Sequence, residues 1–333
     1  MRLGRTQATL LGAVFAVLAA GWMRPVSSVG GMPAELFFYR KMLWHHEFDV
    51  VCAGDSRTLL GVSPAAMRTV MGQRRIANFG FRLAGYSTRY AERAVELIDP
   101  ATPRPLMLLG VDPHSLTTNA ARNLDQPSTW MSLHPWRPGH FNAELENEFL
   151  WLAAQHPWEI RLQVQLGPLL AFFGRITTLD FSQLIQGNTR YPVMVAHEDG
   201  WFSSRFKQQG LERAVRFIPA MYAGNRVSPH VVAQLLKAVR RMQWRGIEVF
   251  GFRLPTDPRV TQLENQCSGF DEAALARDLA AAGGKWLPFD DRDFHTFDGH
   301  HLGEDEAVRF STALARKVEA SRERPGNLSG RKP

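Results

Sequence analysis

In Val50-Val51-Cys52-Ala53-Gly54-Asp55-Ser56-Arg57, four small or β-branched apolar residues run straight into a Gly-Asp-Ser turn. A short apolar run bounded in this way reads as a buried strand, and the turn after it lifts a serine hydroxyl out of the sheet. Ser56 is therefore the first candidate nucleophile. A strand covered on both faces needs helices above and below it, which points to a layered α/β chain.

The strand, turn, helix order recurs along the sequence. Residues 58–63 read as irregular and apolar, and Pro64 to Met71 as a short helix with proline at its first position. Arg75 to Gly80 reads as a second strand followed by a helix from about Ser87 to Ile98, and Pro105 to Asp112 as a third strand. A helix from Ser228 to Gln243, a fourth strand over Ile247 to Pro255, a helix over Asp271 to Ala282 and a short fifth strand over Lys285 to Phe289 complete the rhythm. Strands separated by helices predict a parallel sheet with helices on both faces.

A serine hydroxyl needs a base to take its proton and an anion to orient that base. Phe297-Asp298-Gly299-His300-His301-Leu302-Gly303 supplies both, just ahead of an amphipathic stretch from Glu304 to about Val318. His300 is the alternative base on the same loop.

An early Gly-Asp-Ser paired with a late Asp-x-x-His resembles the SGNH, or GDSL, hydrolases. The resemblance implies a three-layer flavodoxin-like sheet of about five parallel strands. It implies Ser56 as nucleophile, His301 as general base and Asp298 as its orienting partner, meeting at the carboxyl ends of the strands. It also implies an oxyanion hole drawn from the Ser56 backbone, Gly80, Asn78 and the block at Asp112, with Gly85 as the second choice of glycine. That last block departs from the family pattern. It reads Gly110-Val111-Asp112-Pro113 where the family usually has Gly-x-Asn-Asp, and an ionised carboxylate cannot donate a hydrogen bond. Asp112 is protonated, or it faces away while Asn78 or a backbone amide does the work, or the hole is weak.

Residues 114 to about 225 break the rhythm and hold Trp130, Trp136, Trp151, Trp158 and Trp201, five of the nine tryptophans. Helical periodicity over 143–154 and 159–173 predicts a mostly helical lid inserted in the α/β domain. Its tryptophans either line a sugar-stacking groove or pack the lid on the core, the commoner fate of aromatics. His134, His140, His156 and His197 lack metal-ligand spacing.

The acidic and histidine-rich run Asp290, Asp291, Asp293, His295, Asp298, His300 and His301 raises a rival, metal-assisted phosphoester hydrolysis, to which Asp55 and Asp112 could contribute. Metal ligands normally come from several strand ends, and no second set accompanies the early motif; no metal or other cofactor is expected. The formal net charge of +7 comes from 33 Arg against 6 Lys, spread along the chain rather than gathered, which argues against a nucleic-acid binder. Cys52 and Cys267 have no redox or metal spacing, and Cys52 belongs in the buried strand.

At the amino end, Arg2 and Arg5 precede the apolar run Ala8 to Met23, which stops at Arg24. Positive charge before a short apolar segment predicts an N-terminal membrane anchor over 1–24, or a signal segment, with the catalytic part outside the cytoplasmic membrane. The α/β domain then covers 25–320, with its lid at about 114–225, and a disordered tail follows over 321–333. The expected activity is that of an extracytoplasmic serine esterase or O-acyltransferase acting on acyl esters of envelope or secreted polysaccharide. Transfer would require a multi-spanning membrane partner to supply the acyl group. The resemblance extends to the family's polysaccharide O-acetylation and teichoic acid D-alanylation branches. The alternative is a non-catalytic polysaccharide-binding or assembly component on the same scaffold.

Overall fold

A computed structural model describes residues 11–16, 43–82, 84–125, 194–206 and 210–323, together with a few other positions between 4 and 41. Its centre is a sheet of β1 (Val50–Gly54), β2 (Ile76–Gly80), β3 (Leu106–Gly110), β6 (Glu248–Phe252) and β7 (Lys285–Leu287), all parallel, in the order β2-β1-β3-β6-β7. Two further strands, β4 (Met194–Ala196) and β5 (Phe202–Ser204), form a separate antiparallel hairpin. With the hairpin set aside, the strand order is that of a flavodoxin-like doubly wound sheet. The expected fold class is the observed one.

Helices cover both faces. On one lie α3 (Thr88–Glu96), α6 (Pro229–Trp244) and α8 (Glu272–Ala281), packed on Val51, Ala53, Phe79, Met107 and Leu109. On the other lie α2 (Pro64–Met71) and α9 (Glu304–Glu323), packed on Val50, Cys52, Ile76, Leu108 and Phe250. Adjacent residues of β1 point to opposite faces, so both sets must be apolar, which is why the strand reads as an unbroken apolar run. Cys52 is buried with its thiol against Met67, and both cysteines are free.

Where the sequence after Ser56 reads as irregular, the structure has a helix, α1 (Ser56–Gly61). Asp55 supplies the start signal: its carboxyl accepts from the Arg57 N–H at 2.9 Å, an N-cap hidden inside the Gly-Asp-Ser motif. A helix over Pro258–Ser268, α7, was also not anticipated, although Asp257 caps it and proline occupies its first turn. Helix α9 runs to Glu323, so the first three residues of the expected tail are helical.

Of the expected lid, residues 126–193 lie outside the described residues, and with them Trp130, Trp136, Trp151, Trp158, His134, His140 and His156. The described parts are α4 (Thr118–Asp125), the β4–β5 hairpin and α5 (Leu211–Tyr222). The hairpin is a departure from the helical expectation. It borders β2, one of the two edge strands: the Asn78 N–H donates to the Asp199 carbonyl at 2.8 Å. Trp201 is buried beside it, donating its indole N–H to the Leu60 carbonyl at 2.8 Å and stacking on His197, so this tryptophan packs rather than lines a groove. Helix α5 packs on α7 through Ala214, Ile218, Tyr222 and Val260.

Among the described residues no helix is long and apolar enough to cross a membrane. Most of the expected anchor's second half, residues 17–24, lies outside them.

Candidate active site

At the carboxyl edge of the sheet, β1 ends at Gly54 and the chain turns into α1 within two residues. The turn is tight because α1 lies on the sheet. A Cβ on Gly54 would come within 2.1 Å of the Thr58 hydroxyl oxygen, and one on Gly80 within 2.5 Å of the Leu59 nitrogen. Two tyrosines hold the strand ends from below. Tyr90 donates to the Phe79 carbonyl at 2.6 Å and accepts from the Gly54 N–H at 2.7 Å, while Tyr86 donates to the Gly110 carbonyl at 2.9 Å. Ser56, the first residue of α1, is left half-buried above this packed layer.

The Asp298–His301 segment approaches from the end that follows β7. A bridge between Thr296 and Leu302 closes it into a small loop, and Gly299 takes a φ of +92°, which a side chain would resist. The loop is organised around Asp298: one carboxylate oxygen accepts the backbone N–H groups of His300 at 2.9 Å and His301 at 2.8 Å. The other lies 2.8 Å from His301 Nδ1. His301 Nε2 in turn lies 3.0 Å from the Ser56 hydroxyl. Ser56, 245 positions from His301 in the chain, thus ends one hydrogen-bonded line with His301 and Asp298. With Nδ1 donating to the carboxylate, Nε2 is the ring atom free to accept the serine proton.

Burial would raise the Asp298 pKa. The charge of His301, its ring hydrogen bond and the two backbone N–H groups outweigh burial and hold the carboxyl well below the usual carboxylate range. It is an anion at neutral pH.

His300, the alternative base, is engaged elsewhere. Its Nδ1 lies 3.2 Å from the Arg57 guanidinium, and burial together with the Arg57 charge pushes its pKa down to about 4. The two chain segments are therefore joined by adjacent rungs, Ser56 to His301 and Arg57 to His300. Arg57 is buried and also bonds Glu264 of α7, whose other oxygen accepts from Arg253 at 3.0 Å. Burial raises the Glu264 pKa, yet the two guanidinium groups more than offset it and keep the carboxyl ionised. Sequence reasoning missed this cluster, because Arg57, Arg253 and Glu264 meet only once β6 and α7 are in place.

The expected oxyanion donors do not converge in the same way. Asn78 is fully buried, and its amide N–H groups donate to the carbonyls of Thr58 and Val62, each at 2.7 Å. Its carbonyl accepts the Gly80 N–H at 2.9 Å. Both residues are thus spent on fixing α1 against β2, a correction to the sequence expectation. Gly85 faces the backbone of Ala120 and Ala121, where a Cβ would come within 2.4 Å, so close packing accounts for that glycine.

Asp112 is buried and accepts the Ser115 N–H at 2.9 Å. Its carboxyl also pairs with that of Asp55. Burial and the neighbouring Asp112 charge raise the Asp55 pKa well above the ordinary carboxylate value; Asp112, which burial would also raise, is kept low by Arg57 and by the hydrogen bond from Asp55. Asp55 is thus pushed towards its protonated form and Asp112 towards its ionised form, in which Asp112 faces Ser115 and Asp55 as an acceptor. Of the four expected donors, the Ser56 N–H alone makes no hydrogen bond among the described residues.

The acidic run expected as a rival metal centre does not converge. Asp290 pairs with Arg292, Asp291 caps the Thr256 N–H at 3.0 Å, and Asp298 holds the histidine loop. Among the described residues, ligand atoms of Asp55, Asp112 and His114 lie within 4.8 Å of one another, with the Arg57 guanidinium as their resident counter-charge.

No protein-family model matches the chain, and no curated protein matches it. Among solved structures, it is similar to the crystal structure of Est24, a carbohydrate acetylesterase from Sinorhizobium meliloti. The two are 13% identical, the match covers 82% of this chain and 98% of that one, and the TM-score is 0.35. Such overlap carries no weight for function.

Proposed function

We propose that this chain is a serine ester hydrolase or O-acyltransferase of the SGNH type that works through an acyl-enzyme on Ser56. The observation behind this reading is the hydrogen-bonded line from the Ser56 hydroxyl through His301 to Asp298, with distances of 3.0 Å and 2.8 Å. A nucleophile in contact with a base, and a base oriented by an ionised carboxylate, is the constellation that acyl transfer requires.

In this reading His301 Nε2 takes the Ser56 proton as the serine oxygen attacks the ester carbonyl. The developing oxyanion meets the Ser56 N–H. His301 then returns the proton to the leaving alcohol, and a second acceptor resolves the acyl-enzyme by the same route in reverse. Water as acceptor gives an esterase, and a sugar hydroxyl gives a transferase. One identified oxyanion donor instead of two or three is a handicap of about 10²- to 10³-fold per missing donor, so turnover is slow.

The substrates we assign are acyl esters of envelope or secreted polysaccharide. The basic-then-apolar amino end supports export and tethering, as does the resemblance of the two motifs to exported members of the family. Transfer would enlist a membrane partner that delivers the acyl group.

The test is hydrolysis of p-nitrophenyl acetate by the chain from residue 25 onward. Release of p-nitrophenol that is lost in both Ser56→Ala and His301→Gln is the expected result. Equal release by wild type and both variants would remove the triad from the account and favour a binding component on the same scaffold.

A further inference from the structure

Away from the triad, a cleft of about 200 Å³ runs between α3 and α6 on one face of the sheet. Both helices begin at the carboxyl edge of the sheet and descend from it. At the upper end is Thr88, the first residue of α3; along the wall formed by α6 stand Lys237, Arg241 and Arg245. These three cations recur every four residues, so each is one helical turn, about 6 Å, from the next. Arg240 is exposed beside them, and α6 contains no acidic residue. Trp244, the sequence neighbour of Arg245 but outside the lining of the cleft, is 90% exposed, the most exposed of the large apolar side chains among the described residues.

We infer that this cleft is a binding track for an acidic polysaccharide chain, with the choice of a glycan as occupant resting on the function proposed above. Charge complementarity supplies the first argument: a ladder of cations at regular spacing matches a polymer that carries a carboxylate on successive sugar rings, whereas a single small anion would need only one of them. The aromatic supplies the second. An unpacked indole face costs solvation unless something covers it, and the flat C–H face of a pyranose is a matching surface. The shape of the site is the third. The cations line one wall of a cleft, so a linear chain that reaches them has a second wall, from α3, to lie against.

One acid faces the track. Glu92 of α3 lies 3.2 Å from Arg241, but both side chains are more than half exposed, and such a pair is weak enough for a polyanion to displace. The track starts next to the residues that support the nucleophile turn: Tyr86 and Tyr90, which hold the ends of β1 and β3, flank Thr88 in sequence. A chain held along α6 would thus present its further residues towards the carboxyl edge where Ser56 sits.

The experiment is affinity electrophoresis of the full chain in gels containing polygalacturonate, with neutral dextran as control. Retardation by polygalacturonate and none by dextran is expected. Binding should weaken about tenfold or more in the triple variant Lys237→Gln, Arg241→Gln, Arg245→Gln, which removes three ion pairs. It should weaken also in Trp244→Ala, and should decline with added salt. Far-UV circular dichroism and the thermal midpoint show that the variants are folded. Ser56→Ala should bind as wild type does, so a failure of ester turnover leaves this result standing. No retardation, retardation unchanged in the triple variant, or binding to phosphatidylglycerol vesicles in preference to polygalacturonate would overturn the assignment.

Discussion

Ser56 stands between two sets of polar groups that have met different fates. On one side, Asp298 and His301 direct their side-chain hydrogen-bonding capacity along a line that ends at the serine hydroxyl. On the other, Asn78, Gly80 and Asp112 are as near in the fold and as polar, yet their capacity is absorbed by the α1 backbone and by Ser115 and Asp55. A buried polar group is satisfied either by the protein or by what binds to it. The base side keeps a free atom for a reactant, whereas the oxyanion side has been turned into scaffold.

That contrast can be broken at several points. The largest effect belongs to Asp298→Asn. An amide cannot hold the imidazole tautomer as the carboxylate does, and turnover of p-nitrophenyl acetate should fall by about 10³- to 10⁴-fold while the unfolding midpoint stays close to wild type. A loss of less than tenfold would mean that the ring is oriented by something else.

Asn78→Ala should show the opposite signature. Each buried hydrogen bond is worth about 1 kcal/mol net, and the side chain makes at least three, so chemical denaturation should report a loss of about 2–4 kcal/mol. Turnover per folded molecule should change little. A large fall in kcat with stability intact would return Asn78 to the oxyanion hole.

Asp55→Asn probes the shared proton. Because the folded-state pKa of Asp55 is raised, its contribution to stability is present below the unfolded carboxylate pKa, about 4, and is lost as pH rises towards the folded value. Asn keeps the N-cap and the donor to Asp112 without that titration. Urea unfolding midpoints measured at pH 5 and pH 8 should therefore fall less in the variant than in wild type. The depressed pKa of Asp112 acts only at more acid pH and does not interfere in this window.

The smallest effect is expected from Asp112→Asn. This change gives the residue type that the family pattern would have there, but the side chain remains bonded to Ser115 and Asp55. Activity should stay within about threefold, against the 10²- to 10³-fold that a gained oxyanion donor is worth. A rise of that larger size would contradict the placement of Asp112 outside the hole.

The parts of the molecule that were legible in the sequence are those set by short-range pattern. Val50 to Gly54, Ile76 to Gly80 and Leu106 to Gly110 are apolar runs between turn residues, and each appears as a strand of five residues. The Asp298–His301 spacing was legible for a similar reason. Three residues with a glycine between them form a loop in which the carboxylate caps its own backbone, so the contact is local. The role of Asn78 was not legible, because it depends on α1 folding back over β2, and α1 itself was hidden behind a cap contained in the nucleophile motif. Nor was the pairing of Arg57 with Glu264, which lies 207 residues away. The cations of α6 read as scattered along the chain, and only the helical turn brings Lys237, Arg241 and Arg245 to one wall.

The central claim is that Ser56 forms a covalent acyl intermediate with His301 as its base. Intact mass spectrometry of the chain from residue 25 onward, quenched after brief exposure to p-nitrophenyl acetate, tests it most directly. The account predicts one added acetyl group, mapped by peptide digestion to Ser56, absent from Ser56→Ala and greatly slowed in His301→Gln. An acetyl group on another residue, or the same adduct in Ser56→Ala, would contradict it.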